Sequence, residues 1–306
     1  MDLTKPLQGT GIINFTRFNN CIRINKYFER VNEVLKTGDY FIACFETMAT
    51  RKQKFFDKYG KSIGWPLYYV DFIFNRVVPK LSFSKAFYFK LTNGKNRVVS
   101  LTEGLGRLVS CGFEIIDFQT IENRTYVITK KITQPTYDME PTYGMLVRLR
   151  RVGKDGKLFN VLKFRTMYPY SEYVQDFIFQ RNDLREGGKL NNDYRVTSWG
   201  RFFRRYWIDE LPMMINWVRG QMKLVGVRPL SQHYFSLYPP EMQKLRTSVK
   251  PGLIPPFYVD MPKTLDEIVE SERRYIRRYL ASPFRTDIYY FFRAFYNIFF
   301  KKARSK

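Results

Sequence analysis

From Asn19 to Leu35 apolar residues recur at helical spacing (Ile22, Ile24, Phe28, Val31, Leu35). Thr37-Gly38 follows as a stop signal, so the spacing predicts a helix ending there. The next stretch, DYFIACFET, is short and rich in β-branched and aromatic residues, as a buried strand is. GFEIIDFQTIENRTYVITKK reads as two further strands around a turn at Glu122-Asn123. The text ITQPTYDMEPTY, with Pro135 and Pro141, then loses its periodicity as a linker does, which places a boundary near Pro135. Residues 1–134 therefore read as a small α/β portion and residues 135–306 as a second domain, a division suited to a chain of 306 residues.

No apolar run approaches the ~20 residues of a spanning helix, because Asp71, Asn75, Arg76 and Lys80 interrupt WPLYYVDFIFNRVVPKL. The opening MDLTKPLQGTG has no apolar h-region, so the active part is expected to face the cytoplasm. Two segments carry the aromatic-plus-basic texture of interfacial helices: residues 62–91, with Trp65, Phe72 and Phe74, and the C-terminal DIYYFFRAFYNIFFKKARSK. Packing into a core explains their apolar residues as well. Ile288 to Phe300 is about 13 residues, near ~20 Å as a helix, too short to cross a ~30 Å hydrocarbon layer. It can lie in the interface, with Lys301, Lys302 and Arg304 meeting anionic headgroups. On that reading, deletion from Ile288 releases the protein from the membrane; on the core reading, it misfolds.

Charge narrows the partners. The chain has 52 Lys and Arg against 28 Asp and Glu, a formal charge of +24, which suits nucleic acid, phosphorylated ligands or anionic lipid. No RNP, zinc-finger or basic-zipper pattern is present, so nucleic acid is not an expected partner. Three cysteines without CxxC spacing give neither a disulfide framework nor a zinc knuckle, and the single histidine, His233, excludes HExxH chemistry. Catalysis would rest on carboxylates and on Lys or Arg.

The helix, LKTGDYFIACFET, a long insertion, then GLGRLVSCGFEIID and TYVITKK loosely resemble the C-terminal half of a class I methyltransferase sheet. The glycine-rich turn that would hold a methyl donor is missing, and Gly104-Leu105-Gly106 is a lone GxG ahead of an apolar helix-like run. A noncatalytic remnant or scaffold is the expected role.

The second portion contains RRVGKDGKLFNVLKFRTM, then NDYRVTSWGRFFRRYWIDELPMMINWVRGQMKLVGVRPL, then VKPGL. Together, from about Arg150 to Gly252, these phrases resemble the bacterial sugar transferases, the monotopic polyprenyl-phosphate phosphoglycosyl transferases. The resemblance implies a mainly helical catalytic domain with membrane-interface helices, giving an α/β or α+β chain overall. It also implies transfer of a sugar phosphate from a UDP-sugar to polyprenyl (undecaprenyl) phosphate with Mg²⁺, through a covalent aspartyl intermediate, at the cytoplasmic face of the bacterial inner membrane. The products would initiate exopolysaccharide, capsule or O-antigen type glycans. A catalytically silent membrane-surface scaffold in a polysaccharide assembly complex is the alternative.

IDELP sets Asp209 and Glu210 side by side just before MMINWV, where a helix start favours ionised carboxylates. Taken alone, such a pair is more often simply the acidic first turn of a helix, and only the surrounding phrases reverse that reading. The resemblance assigns Asp209 the nucleophile's role, and Glu210 is the candidate Mg²⁺ ligand because a hard cation relieves repulsion between carboxylate and diphosphate. Lys163, Arg165, Arg204 and Arg228 fall at family positions for phosphate or nucleotide contact, and Pro229 stiffens the turn presenting Arg228. Asp193 and Arg195 match a D-x-R-x-T phrase in which a buried ion pair orients the site or simply holds the fold. Two features depart from the family. The hydrophobic re-entrant helix ahead of RVGK is replaced by the polar linker, and Pro255-Pro256 stand where a glycine follows PGxT.

Overall fold

The three segments read as strands, joined by Gly11–Arg17, which the sequence reading did not mark, assemble into a four-stranded sheet. β1 (Gly11–Arg17) lies parallel to β2 (Tyr40–Phe45), β4 (Arg124–Lys131) runs antiparallel to β2, and β3 (Phe113–Ile121) antiparallel to β4, in the order β1-β2-β4-β3. The hairpin turns where the sequence predicts, at Glu122 and Asn123, whose φ of 44° and 65° suit the right-handed twist of its strands. This computed structural model describes residues 10–81, 83–137, 144–181 and 193–301. Two compact units interleave along the chain: unit 1 takes Met1–Gly144 and Met167–Thr197, unit 2 takes Met145–Thr166 and Ser198–Lys306. Segment 167–197, within the portion 135–306 delineated from sequence, thus belongs to unit 1.

In unit 1, α1 (Ile24–Val34) is shorter than the helix predicted from Asn19 to Leu35. The Asn19 amide donates to the Glu46 and Arg97 carbonyls and accepts from the Glu46 N–H, which holds residues 18–20 in a separate 3-10 turn. Ile24, Phe28, Val31 and Leu35 are buried with Phe41, Phe45 and Phe113 in one core, whereas Ile22 faces solvent. α2 (Met48–Phe72) breaks at Gly60, where φ is 70°, and its two arms fold back on each other. Arg51 grips Asp71 through two hydrogen bonds of 2.7 Å, and Phe56 meets Trp65 at 5.5 Å between ring centres. α3 (Lys85–Thr92) follows. α4 (Leu101–Ser110) starts on Ser100, whose hydroxyl accepts from the Glu103 N–H, and it contains the GxG. A Cβ at Gly104 would stand 2.5 Å from the Phe45 ring, and one at Gly106 2.3 Å from the Tyr170 carbonyl oxygen. Both glycines therefore serve close packing and not a phosphate-binding turn. α5 (Gln175–Arg181) closes the unit by adding Ile178 to the core beside Val174.

Unit 2 begins with an antiparallel hairpin, β5 (Leu146–Val152) and β6 (Leu158–Phe164), turned by Asp155 and Gly156 at φ 56° and 72°. The remaining elements are α6 (Ser198–Arg205), α7 (Met213–Val218), β7 (Lys223–Val225), α8 (Gln232–Ser236), α9 (Pro240–Thr247), β8 (Gly252–Ile254), α10 (Phe257–Asp260), α11 (Leu265–Ala281) and α12 (Pro283–Phe299). β7 and β8 pair in parallel so closely that a Cβ at Gly252 would lie 2.1 Å from the Gly226 nitrogen. The core joins Val225, Val227, Tyr238, Met242, Tyr275, Ile276 and Tyr290. α12 buries Tyr290, Ala294 and Asn297, spaced four and three residues apart, and the Asn297 amide donates to the carbonyls of Tyr258 (3.0 Å) and Val259 (3.1 Å). Ile288, Phe292, Phe295 and Phe299 form an opposite stripe open to solvent. Lys302 and Arg304 lie outside the described residues. The fold is mixed α/β, and no helix among the described residues is long and apolar enough to cross a membrane.

Candidate active site

The acidic pair occupies a 3-10 turn, Ile208–Glu210, between α6 and α7. Trp207 immediately before it has φ 54°, a left-handed conformation disfavoured for a bulky side chain. Its indole N–H donates to the Tyr258 hydroxyl at 2.9 Å, and the two rings meet edge to face at 6.1 Å. That anchor holds the reversal which sends Asp209 and Glu210 out of the α6 direction. α6 itself is fixed by Arg204, whose Nε donates to the Thr166 hydroxyl at 2.9 Å.

Glu210 lines an open cleft with Lys163, Arg228, Pro229, Arg151, Leu253, Pro255 and Tyr258. Lys163 Nζ donates to Glu210 Oε1 at 2.6 Å, and Arg228 Nη2 stands 3.6 Å from the same oxygen. Burial raises the Asp209 carboxyl above its ordinary range and the Glu210 charge adds to this, while Lys163 and Arg204 pull the other way. The sequence argument from a helix start favours ionisation; burial and the neighbouring carboxylate act against it. Arg151, which sequence reasoning missed, shares the cleft, and burial together with the Arg228 charge lowers its pKa.

The structure brings Lys163, Arg204, Asp209, Glu210, Arg228 and Pro229 into one unit, and Arg165 extends the same strand segment, its N–H donating to the Met145 carbonyl at 2.7 Å. Asp193 and Arg195 belong to unit 1, where the D-x-R pair forms: Arg195 Nε and Nη2 donate to the two Asp193 oxygens at 2.9 and 2.8 Å. His233 is exposed on α8 and does not line the cleft. Pro255 stands in the cleft wall, and Pro256 starts the helix that carries Tyr258.

A further brace was not legible in the sequence. The Asn216 side chain, fully buried on α7, accepts from the Leu162 N–H at 3.0 Å and donates to the Asn160 carbonyl at 2.8 Å and to Gln221 Oε1 at 2.7 Å. It fastens α7, which follows the acidic turn, to the strand bearing Lys163. The only hint in the sequence is an amide inside the apolar run MMINWV.

Among the described residues no three acidic, His or Cys side chains cluster as a metal cage. Asp209 and Glu210 nevertheless offer adjacent hard oxygens, the sparse carboxylate set with which Mg²⁺ binds when phosphate and water complete its shell. Glu210 is already engaged by Lys163, so a cation there would share it with, or displace, the ammonium.

A model of the bacterial sugar transferase family matches residues 127–301. The galactosyl transferase CpsE of Streptococcus agalactiae is 35% identical over 133 residues, covering 42% of this chain and 29% of that protein. The exopolysaccharide production protein ExoY of Rhizobium meliloti is 40% identical over 94 residues, 29% of this chain and 42% of its own length. The undecaprenyl-phosphate galactose phosphotransferase of Salmonella typhimurium is 42% identical over 86 residues, 26% and 18% of the two chains. The matched region spans less than half the length of each of these relatives. With more than half of its residues inside the matching model, the chain belongs to the bacterial sugar transferase family.

Proposed function

We propose that the protein is a phosphoglycosyl transferase that moves a sugar phosphate from a UDP-sugar to a polyprenyl phosphate at the cytoplasmic face of the membrane. The observation that carries this reading is the half-buried Asp209 beside Glu210, with Lys163, Arg204 and Arg228 supplying fixed positive charge. Relatives named for undecaprenyl-phosphate galactose or glucose-1-phosphate transfer support the substrate class.

In the proposed mechanism an ionised Asp209 oxygen attacks the β-phosphorus of the donor. A carboxylate O–P bond forms, the P–O bond to the α-phosphate breaks, and UMP carries away the electron pair. A phosphate oxygen of the lipid then attacks the same phosphorus, and Asp209 leaves as carboxylate. Lys163, Arg151 and Arg228 hold the diphosphate oxygens and screen the repulsion between two anions. Mg²⁺ held by Glu210, with or without Asp209, would supply further charge neutralisation when bound.

The acceptor's isoprenoid tail keeps the reaction at a lipid surface. Two faces suit it: the exposed Ile288, Phe292, Phe295 and Phe299 stripe of α12, and the arm after Gly60, where Ile63, Leu67 and Val70 are exposed and Lys61 stands at its start. The test is release of UMP from UDP-galactose or UDP-glucose in the presence of Mg²⁺ and undecaprenyl phosphate. Absence of UMP and of product with every UDP-sugar tried would overturn the enzymatic reading in favour of a scaffold.

A further inference from the structure

Arg228 touches Glu210 from a segment without regular structure, yet its backbone is tied on three sides. The Val227 carbonyl accepts from the Gly252 N–H at 2.9 Å, and the Leu230 carbonyl accepts from the Val152 N–H at 3.0 Å. The carbonyl of Arg228 itself accepts from Arg246 Nη2 at 2.6 Å. Arg246 stands on α9, does not line the cleft, and is 4% exposed. Its guanidinium is clamped from the other side by Glu272 of α11, also 4% exposed, through bonds of 2.6 Å from Nε and 2.9 Å from Nη2. The Tyr238 ring stacks near it at 5.1 Å.

A buried ion pair is a weak source of stability, because desolvating both charges offsets most of their attraction. Two well-packed apolar side chains would hold α9 to α11 about as well. What they could not do is donate a hydrogen bond to the Arg228 carbonyl. The planar guanidinium fork serves both partners at once: Glu272 fixes its plane, and the fixed plane aims Nη2 at that carbonyl.

We propose that Arg246 is a positioning residue for the sugar-transfer site, with Glu272 as its orienter: the pair locks the main chain at Arg228 so that the Arg228 side chain is delivered to Glu210 and to the donor's diphosphate. The proposal rests on the functional reading above. It adds to that reading a determinant outside the cleft that acts only through Arg228.

The experiment is a cycle with three proteins beside the wild type: Arg228→Ala, the paired replacement Arg246→Met/Glu272→Leu, and all three substitutions together. With UDP-galactose, Mg²⁺ and undecaprenyl phosphate, the paired replacement is expected to keep its Tm. It should raise the KM for UDP-galactose roughly 10- to 100-fold, the scale of a charge-assisted contact, with a smaller change in kcat. Added to Arg228→Ala it should cost nothing more. A folded paired variant with wild-type kinetics, or losses that multiply in the triple variant, overturns the proposal. Should the paired variant fail to fold, Arg246→Lys keeps the charge beside Glu272 without the fork and takes its place in the cycle. Crystal structures of wild type and variant give a readout independent of turnover. The Arg228–Glu210 separation, 3.6 Å in the wild type, should open beyond ion-pair distance in the variant, and an unchanged separation would sink the idea. A wild type that releases no UMP defeats the functional reading alone, since this separation still decides the positioning.

Discussion

The Trp207 indole N–H donates to the hydroxyl of Tyr258 across 2.9 Å, and this bond spans the point at which the main chain turns left-handed just ahead of Asp209. Trp207→Phe keeps an aromatic ring against Tyr258 but removes the donor. The expected cost is about 1 kcal/mol of stability, the net worth of a hydrogen bond, with a larger proportional fall in turnover because the acidic turn loses its anchor. Urea unfolding and UMP release on the same preparations decide it. Equal activity at reduced stability would separate the anchor from the chemistry.

Asp209→Asn is expected to abolish both turnover and any covalent sugar-phosphate adduct, a loss above about 10³-fold. The same substitution should make the fold more stable at neutral pH. A carboxyl whose folded pKa is raised destabilises the native state above that pKa; the penalty fades as pH falls through the folded pKa and is gone below the unfolded value near 3.8. Melting temperatures of the two proteins should therefore converge in acid. The rate of the wild type should fall on the acid side as Asp209 becomes protonated. Lys163→Met removes a cation that lowers this pKa, so the acid limb of kcat/KM should move to higher pH. A limb that stays in place would mean that another group controls the profile.

Asn216→Leu preserves volume but strands the Leu162 N–H and the Asn160 carbonyl. The expected loss is about 2 kcal/mol or more, since each buried group left unpaired costs on the order of 1–3 kcal/mol. Hydrogen exchange at Leu162 offers a local check, because its amide should lose protection beyond the global destabilisation. Unaltered exchange there would contradict the brace described above.

Deletion from Ile288 cannot distinguish membrane anchoring from packing, since it removes two opposite stripes at once: Tyr290, Ala294 and Asn297 face the core, and the Phe292, Phe295 and Phe299 face is open. The truncation is expected to unfold unit 2. Phe292→Ser, Phe295→Ser and Phe299→Ser together should instead leave circular dichroism unchanged and weaken flotation with anionic liposomes by about tenfold or more. Undiminished flotation of the folded triple variant would transfer the role to the arm after Gly60.

Local rules carried the first portion well. The β-branched and aromatic runs that became β2, β3 and β4 and the turn at Glu122-Asn123 are local signals, and those three strands followed them, whereas β1 went unread. The Asp155-Gly156 turn of the β5–β6 hairpin was written just as locally, in KDGK, yet a mainly helical reading of the second portion passed over it. The fold-back of α2 depends on Arg51 reaching Asp71, and the brace at Asn216 on strands more than 50 residues earlier in the chain. Such partners have no periodicity to betray them. Motif position pointed to Asp209, Glu210, Lys163 and Arg228, of which the last three line the cleft, whereas Arg151 and Arg246 needed the third dimension, because in so basic a chain one arginine looks like another.

Val174 and Ile178 lie inside the stretch matched by the sugar transferase model, yet both are sealed into the hydrophobic core of the unit built largely from residues before it. Cutting the gene at the proline-bearing linker would therefore leave a hole in one product and a greasy, unsatisfied helix on the other. The boundary legible in composition thus runs through the packing of unit 1, and portions 1–134 and 135–306 are expected to fold together and not as separately expressed halves.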